Sequence, residues 1–112
     1  MKVYLNKRDG SVKAEGSYDE ATGKLVVLKG SIVSPDVKHT EKFKGVRTIE
    51  TRRKEHVENR TVKENVEFKS ASTAANFVTG SSTNGLIAWK NKEGKNLKEG
   101  SVNKSEPVEK SL

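Results

Sequence analysis

Cysteine is absent from the 112-residue chain, which excludes thiol nucleophiles, disulfide staples and thiolate-held metals. Aromatic residues are scarce: three Phe, two Tyr and a single Trp, 5% of the chain. That is thin for a surface on which successive nucleobases stack. No apolar run approaches the roughly 20 residues that cross a bilayer, and the start, MKVYLNKRDG, carries no secretory apolar stretch. A cytoplasmic location without membrane contact is the expectation. The two histidines, His39 and His56, stand seventeen residues apart with no carboxylate at a zinc-motif spacing, and His56 reads as a packed or half-exposed helix residue. Ser31, Ser34 and Ser70 sit in no nucleophile elbow. No pair of carboxylates lies in apolar surroundings of the kind that raise a pKa for acid catalysis. The residues therefore point away from an enzyme, and no cofactor or metal is expected.

What the chain has in quantity is charge. Charged residues make up 33% and hydrophobic ones 31%, the polar edge of what folds. A chain of this length supports one modest core, so a single domain is expected over residues 1–97. The remainder, 98–112, is rich in Lys, Glu and Ser with Pro107 among them, and reads as a disordered polar tail. Formal charge is +7 and the pI about 9.7, which favours polyanionic partners, DNA or RNA among them.

The first third alternates and turns. KVYL, SVKAEGSY and KLVVLKGS are strand-like, separated by Asp9-Gly10 and by the looser turn from Asp19 to Gly23, which predicts a three-stranded antiparallel meander. The unbroken apolar run Leu25 to Leu28 suits its most covered strand. Pro35 stops regular structure. EKFKGVRTIETRRKEHVENR then has the period of one longer helix ending near Asn59, with Val46, Ile49, Arg53, His56, Val57 and Arg60 within about a third of its circumference. VEFK reads as a short strand, and LIAW as a short strand or turn. Between them Ser70 caps a short Ala-rich helix carrying Ala71, Ala74, Ala75 and Val78 on one face and Gly80 as terminator. The expected fold is thus α+β: an antiparallel β-meander with one longer basic helix and one short Ala-rich helix.

Between Lys42 and Lys54 six basic residues stand against one acidic residue, a net +5 of the chain's +7. Arg47, Arg52, Arg53 and Lys54 are the candidate phosphate contacts, with Lys90, Lys92 and Lys95 as secondary ones; such contacts position a nucleic acid without reading its sequence. The competing reading is a solvated helix face, since Glu50, Glu55 and Glu58 interleave and Glu50 stands one turn from Lys54. The glycines of TGSSTNG invite a phosphate-loop reading. The spacing opposes it, because Gly80 follows a helix and no Gly-Lys-Ser/Thr leads into one. Trp89, flanked by Leu86 and Ile87, reads as a core anchor rather than a stacking residue, as do Phe68 and Phe77. Tyr4, Tyr18 and Phe43 are assigned to neither core nor surface. Leu86 and Ile87, if exposed, mark a protein-docking patch instead.

Two stretches carry a resemblance. GSYDEATGKLVVLKGS, which contains Gly30, and FKSASTAANFVTGSSTNGLIAWKNKEGKNL are similar to the N- and C-terminal signatures of the domain of unknown function family numbered 4357, covering nearly the whole chain up to Leu97. In the second signature the helix start falls on Ser70, Ala71, Ser72, Thr73, Ala74 and Ala75, and the closing motif on Gly80, Asn84, Gly85, Trp89, Gly94 and Leu97. Ala71 departs from the usual Pro, which removes only a rigid helix start. Leu86 departs from a common Trp, which opposes a clamp built from two tryptophans. The resemblance implies a domain of the kind appended to GIY-YIG nucleases and other DNA restriction or modification proteins, with a closing motif similar to one associated with adenine methylases. It thereby implies a non-catalytic accessory domain that contacts nucleic acid, or alternatively a structural module that recruits a nuclease or methylase partner.

Overall fold

A computed structural model describes residues 1–38 and 45–98. The elements run β1 (Lys2–Asn6), β2 (Lys13–Tyr18), β3 (Leu25–Val27), α1 (Val46–His56), β4 (Val57–Glu58), β5 (Thr61–Val62), β6 (Val66–Phe68), α2 (Ala71–Thr79) and α3 (Gly85–Ala88). The fold is α+β, as the alternation of the first third and the two helical periods imply. The main sheet is antiparallel in the order β1-β2-β3-β6. The meander turns where the glycines are: Gly10 and Gly23 lie at φ 79 and φ 80, a conformation with little cost only for glycine.

Alternation decides which face is buried. Val3 and Leu5 of β1, Ala14 of β2, Leu25 and Val27 of β3, and Val66 and Phe68 of β6 are all 5% exposed or less. They form one apolar face, against which α2 packs over β3 and β6. Ala71, Ala74 and Ala75 let that helix approach closely, while Phe77 and Val78 fill the space beside them. Gly16 makes room within the sheet, since a Cβ there would stand 2.8 Å from Leu25 Cδ2 of the neighbouring strand. The Phe77 ring tilts against Phe68 with centroids 4.9 Å apart, a favourable aromatic geometry. From α1 only Ile49 is buried, so that helix borders the core rather than building it.

One local expectation is corrected. The longer helix ends at His56, and Val57 to Val62 form a hairpin instead of its last turn. Val57 is extended, and Asn59 and Arg60 take φ 51 and φ 65, the two left-handed residues of a tight hairpin turn. The hairpin wins because it delivers Val62 to the core at 1% exposure. Arg60 secures it, Nε donating to Val33 O at 3.1 Å and Nη2 to Ser11 O at 2.7 Å. Of the two readings of LIAW, strand or turn, the turn holds: Leu86 to Ala88 lie in the helical turn α3, started by Asn84, whose side chain accepts from Leu86 N at 3.0 Å. The SIV stretch does extend the sheet system, since Ile32 bridges both Lys13 and Thr61. The tail expected over 98–112 lies outside the described residues except for Lys98.

Candidate functional site

The basic helix divides into two kinds of cation. Arg53 points inward at the end of α2, where the last carbonyls of any helix lack intrahelical donors. Its Nε donates to Phe77 O at 2.9 Å, its Nη1 to Ser34 O at 2.9 Å and its Nη2 to Ser34 Oγ at 2.9 Å. Ser34 N supplies Val78 O at 2.8 Å, and Gly80 N supplies Asn76 O at 2.9 Å. Arg53 is therefore a C-cap reached across from another helix, its charge well placed against the helix dipole. Burial pulls its pKa down to about 10, opposed by Asp36 and reinforced by Arg60, so it stays charged at neutral pH.

Arg52 is also committed to the fold. Its Nη2 donates to Glu67 O at 2.8 Å, and its guanidinium carbon stands 4.7 Å from the centroid of the Phe68 ring, a cation–π contact. Arg52 and Arg53, expected among the phosphate contacts, are thus occupied by the protein's own carbonyls. Arg47 and Lys54 remain exposed and line one shallow groove with Glu50 and Thr51. Seven residues apart, they are about 10 Å apart along the helix axis. Lys42, Lys44, His39 and Phe43 lie outside the described residues. A cavity of about 540 Å³ between α1 and residues 33–37 mixes Asp36 and Glu50 with Lys54 and Arg60 and so presents no single sign of charge. His56 belongs to neither group; its Nδ1 lies 2.5 Å from Glu64 Oε2, tying the end of α1 to the residues before β6.

The closing segment is built from buried anchors. Trp89 is 0% exposed, and its indole Nε1 donates to Ala71 O at 3.0 Å. The ring is core, closed to any base. Leu97, 2% exposed, anchors the other end, and between them Lys90 to Lys95 form a projecting loop. Lys90 pairs with Tyr4 on the open edge of β1, the backbones exchanging bonds at 2.7 and 2.9 Å. Lys90, Lys92 and Lys95 are all exposed. This loop borders β1 while Arg52 of α1 reaches β6, the opposite edge of the sheet. Three strand spacings, about 14 Å, separate those edges, so the seven candidate cations do not converge on one site.

The family profile of the Domain of unknown function (DUF4357) matches residues 3–101. The chain belongs to this family. No curated protein and no solved structure matches it.

The DUF4357 signature positions have structural tasks. Ser70 caps α2 by accepting from Thr73 N at 3.2 Å. Gly80 takes φ 71, and a Cβ there would lie 2.2 Å from Asp36 O. Gly85 sits against the start of α2, where a Cβ would meet Ala71 O at 2.2 Å. Gly30 and Gly94 turn the chain at φ 93 and φ 85. In and just after TGSSTNG four amides are spoken for: Ser81 N donates to Thr79 Oγ1, Thr83 N to Asn76 Oδ1, Gly85 N to Ser72 Oγ and Leu86 N to Asn84 Oδ1, at 2.8 to 3.3 Å. A phosphate cradle needs such donors free; here they close α2 onto α3. Tyr4 and Asn6, beside Lys90, were not singled out by sequence. The Val3/Leu5 alternation places them on the outward face, but nothing local to β1 announces that Lys90 pairs with it. Among the described residues no cluster of three or more His, Asp or Glu could hold a metal, and no helix is long and apolar enough to cross a membrane.

Proposed function

We propose that this DUF4357 domain is a non-catalytic accessory module that binds nucleic acid weakly and mainly through phosphates. One observation carries the reading. Of the seven candidate cations, Arg47, Lys54, Lys90, Lys92 and Lys95 are exposed, and among the described residues none is tied up in a side-chain hydrogen bond or ion pair. Exposed cations release counterions from a phosphate backbone on contact, which is the main source of non-specific affinity. The spacing of Arg47 and Lys54, about 10 Å, is of the order of the roughly 12 Å major groove, so the pair can reach phosphates on its two lips. Reversing both, Arg47→Glu with Lys54→Glu, is expected to weaken binding of a labelled duplex at least ~10-fold at about 50 mM salt. Unchanged affinity removes α1 from the contact surface.

A second reading rests on Leu86 and Ile87, which are 40% and 49% exposed on α3. Adjacent exposed apolar side chains suit a docking point for a protein partner, in this case a nuclease or DNA-modification enzyme. That reading expects Leu86→Ser with Ile87→Ser to abolish co-purification with such a partner and leave oligonucleotide affinity unchanged. Loss of oligonucleotide affinity in that variant would assign the patch to nucleic acid instead.

A further inference from the structure

We infer that the concavity on the open edge of β1 is a subsite for single-stranded nucleic acid, which takes one nucleobase against the ring of Tyr4 and neighbouring phosphates on Lys90 and Lys92. The inference rests on the phosphate-binding reading above and adds to it a strand form and a place. Val3 and Leu5 are buried at 0% and 5% exposure, so Tyr4 between them projects from the face of β1 that α2 does not cover. Tyr4 and Lys90 exchange both backbone bonds. Directly opposed residues in an antiparallel pair project to the same side. On the other flank, Glu15 pairs with Tyr4, but its carboxylate is held by Lys2 Nζ at 3.0 Å, which offsets its repulsion of a phosphate.

The concavity has a volume of about 470 Å³ and is lined by Tyr4, Asn6, Ala88, Lys90, Lys92 and Gly94 among others. That is within the ~300–1,000 Å³ of small-ligand sites. Each group supplies a different part of nucleotide recognition. The phenol ring offers a flat apolar face to a base, the exposed Asn6 amide offers both a donor and acceptors to a base edge, and the two ammonium groups offer charge to phosphates.

The loop is also held in shape before any ligand arrives. Asn91 Oδ1 accepts from Glu93 N at 2.9 Å and from Lys95 N at 3.0 Å, and Gly94 N donates to Asn91 O at 2.9 Å. Buried Trp89 and Leu97 fix its two ends. Little backbone entropy is then lost on binding. A duplex hides its base faces and cannot use the ring, whereas a single strand can. An acidic peptide would use the lysines alone and leave the ring idle.

The test measures affinity of the full chain for a labelled oligothymidylate of about ten nucleotides and for a duplex of similar length, at about 50 and about 200 mM salt. Wild type is compared with Tyr4→Phe, Tyr4→Leu and Lys90→Gln/Lys92→Gln, with buried Trp89 emission confirming that each is folded. The inference expects the single strand to bind more tightly than the duplex. Tyr4→Leu, which keeps apolar volume but has no ring, should lose roughly 5- to 100-fold in single-strand affinity, and Tyr4→Phe should lose less than about 2-fold. The lysine variant should flatten the salt dependence. Wild-type binding that Tyr4→Leu leaves intact, or that polyglutamate competes away as well as oligothymidylate does, overturns the subsite while the phosphate reading stands. Absence of binding to either oligonucleotide overturns both.

Discussion

Replacing Arg53 by Gln separates a cation that holds the fold from those that face solvent. In the native protein its guanidinium makes three bonds of 2.9 Å, to Phe77 O, Ser34 O and Ser34 Oγ. Hydrogen bonds to a charged group contribute about 1.5–3 kcal/mol each, and a carbonyl left without a donor costs about 1–3 kcal/mol. Arg53 is half-buried, so water can replace part of what is lost, and the shorter Gln amide can restore one bond at best. The expected loss is about 2–4 kcal/mol, a large share of the roughly 5–15 kcal/mol that stabilises a small domain. Urea unfolding followed by Trp89 emission reads this directly, because that indole is fully buried in the folded state. With a slope of about 1–2 kcal/mol per molar urea, the midpoint should fall by about 2 M. Lys54→Gln, one residue along and exposed, should stay within ~0.5 kcal/mol of wild type. If Arg53→Gln also unfolds within that margin, the carbonyls at the end of α2 do not depend on it and the C-cap argument is wrong.

Other consequences follow from the same contacts. Gly80→Ala puts a Cβ 2.2 Å from Asp36 O at φ 71, so it is expected to destabilise by at least ~2 kcal/mol, combining left-handed strain with displacement of the Ser34 to Lys38 segment; thermal unfolding equal to wild type would contradict this. Asp9 and Asp19 have pKa values lowered from 3.8 chiefly by the amides of Ser11 and Ala21. A depressed carboxylate pKa gives stability that is present above the unfolded value and lost as pH falls through the folded one. The melting temperature of Asp9→Asn/Asp19→Asn should therefore fall less steeply than that of wild type once the pH drops below about 3.8. Parallel curves would show that the two turns add nothing to acid sensitivity.

The sheet was legible because strand alternation and Asp-Gly turns are local signals. KVYL and SVKAEGSY announce their buried positions by spacing alone, and Ser70 and Gly80 mark α2 at both ends. The overlong basic helix failed for an equally physical reason. Val57 and Arg60 continue the helical period, but Val57 pairs with Val62 and Arg60 reaches the carbonyls of Val33 and Ser11, and no local pattern reveals partners that distant. The same limit applies to the cations. Arg47, Arg52, Arg53 and Lys54 look alike in sequence, and only the arrival of β6 and the end of α2 beside α1 distinguishes the two that cap carbonyls from the two that face water. Tyr4 meets Lys90 through a long-range pairing that no pattern local to β1 announces.

Under the proposed function, Arg47, Lys54, Lys90, Lys92 and Lys95 hold nucleic-acid phosphates. The measurement that tests it most directly is titration of the full chain with a labelled single strand and a labelled duplex across about 50 to 200 mM salt. Engagement of two to three phosphates predicts a slope of log K on log salt of about −1.4 to −2.1 for the single strand, a loss of roughly 7- to 18-fold in affinity over that range. No binding at the low-salt end, or binding indifferent to salt, would contradict the claim and leave the Leu86 and Ile87 patch as the surface to pursue.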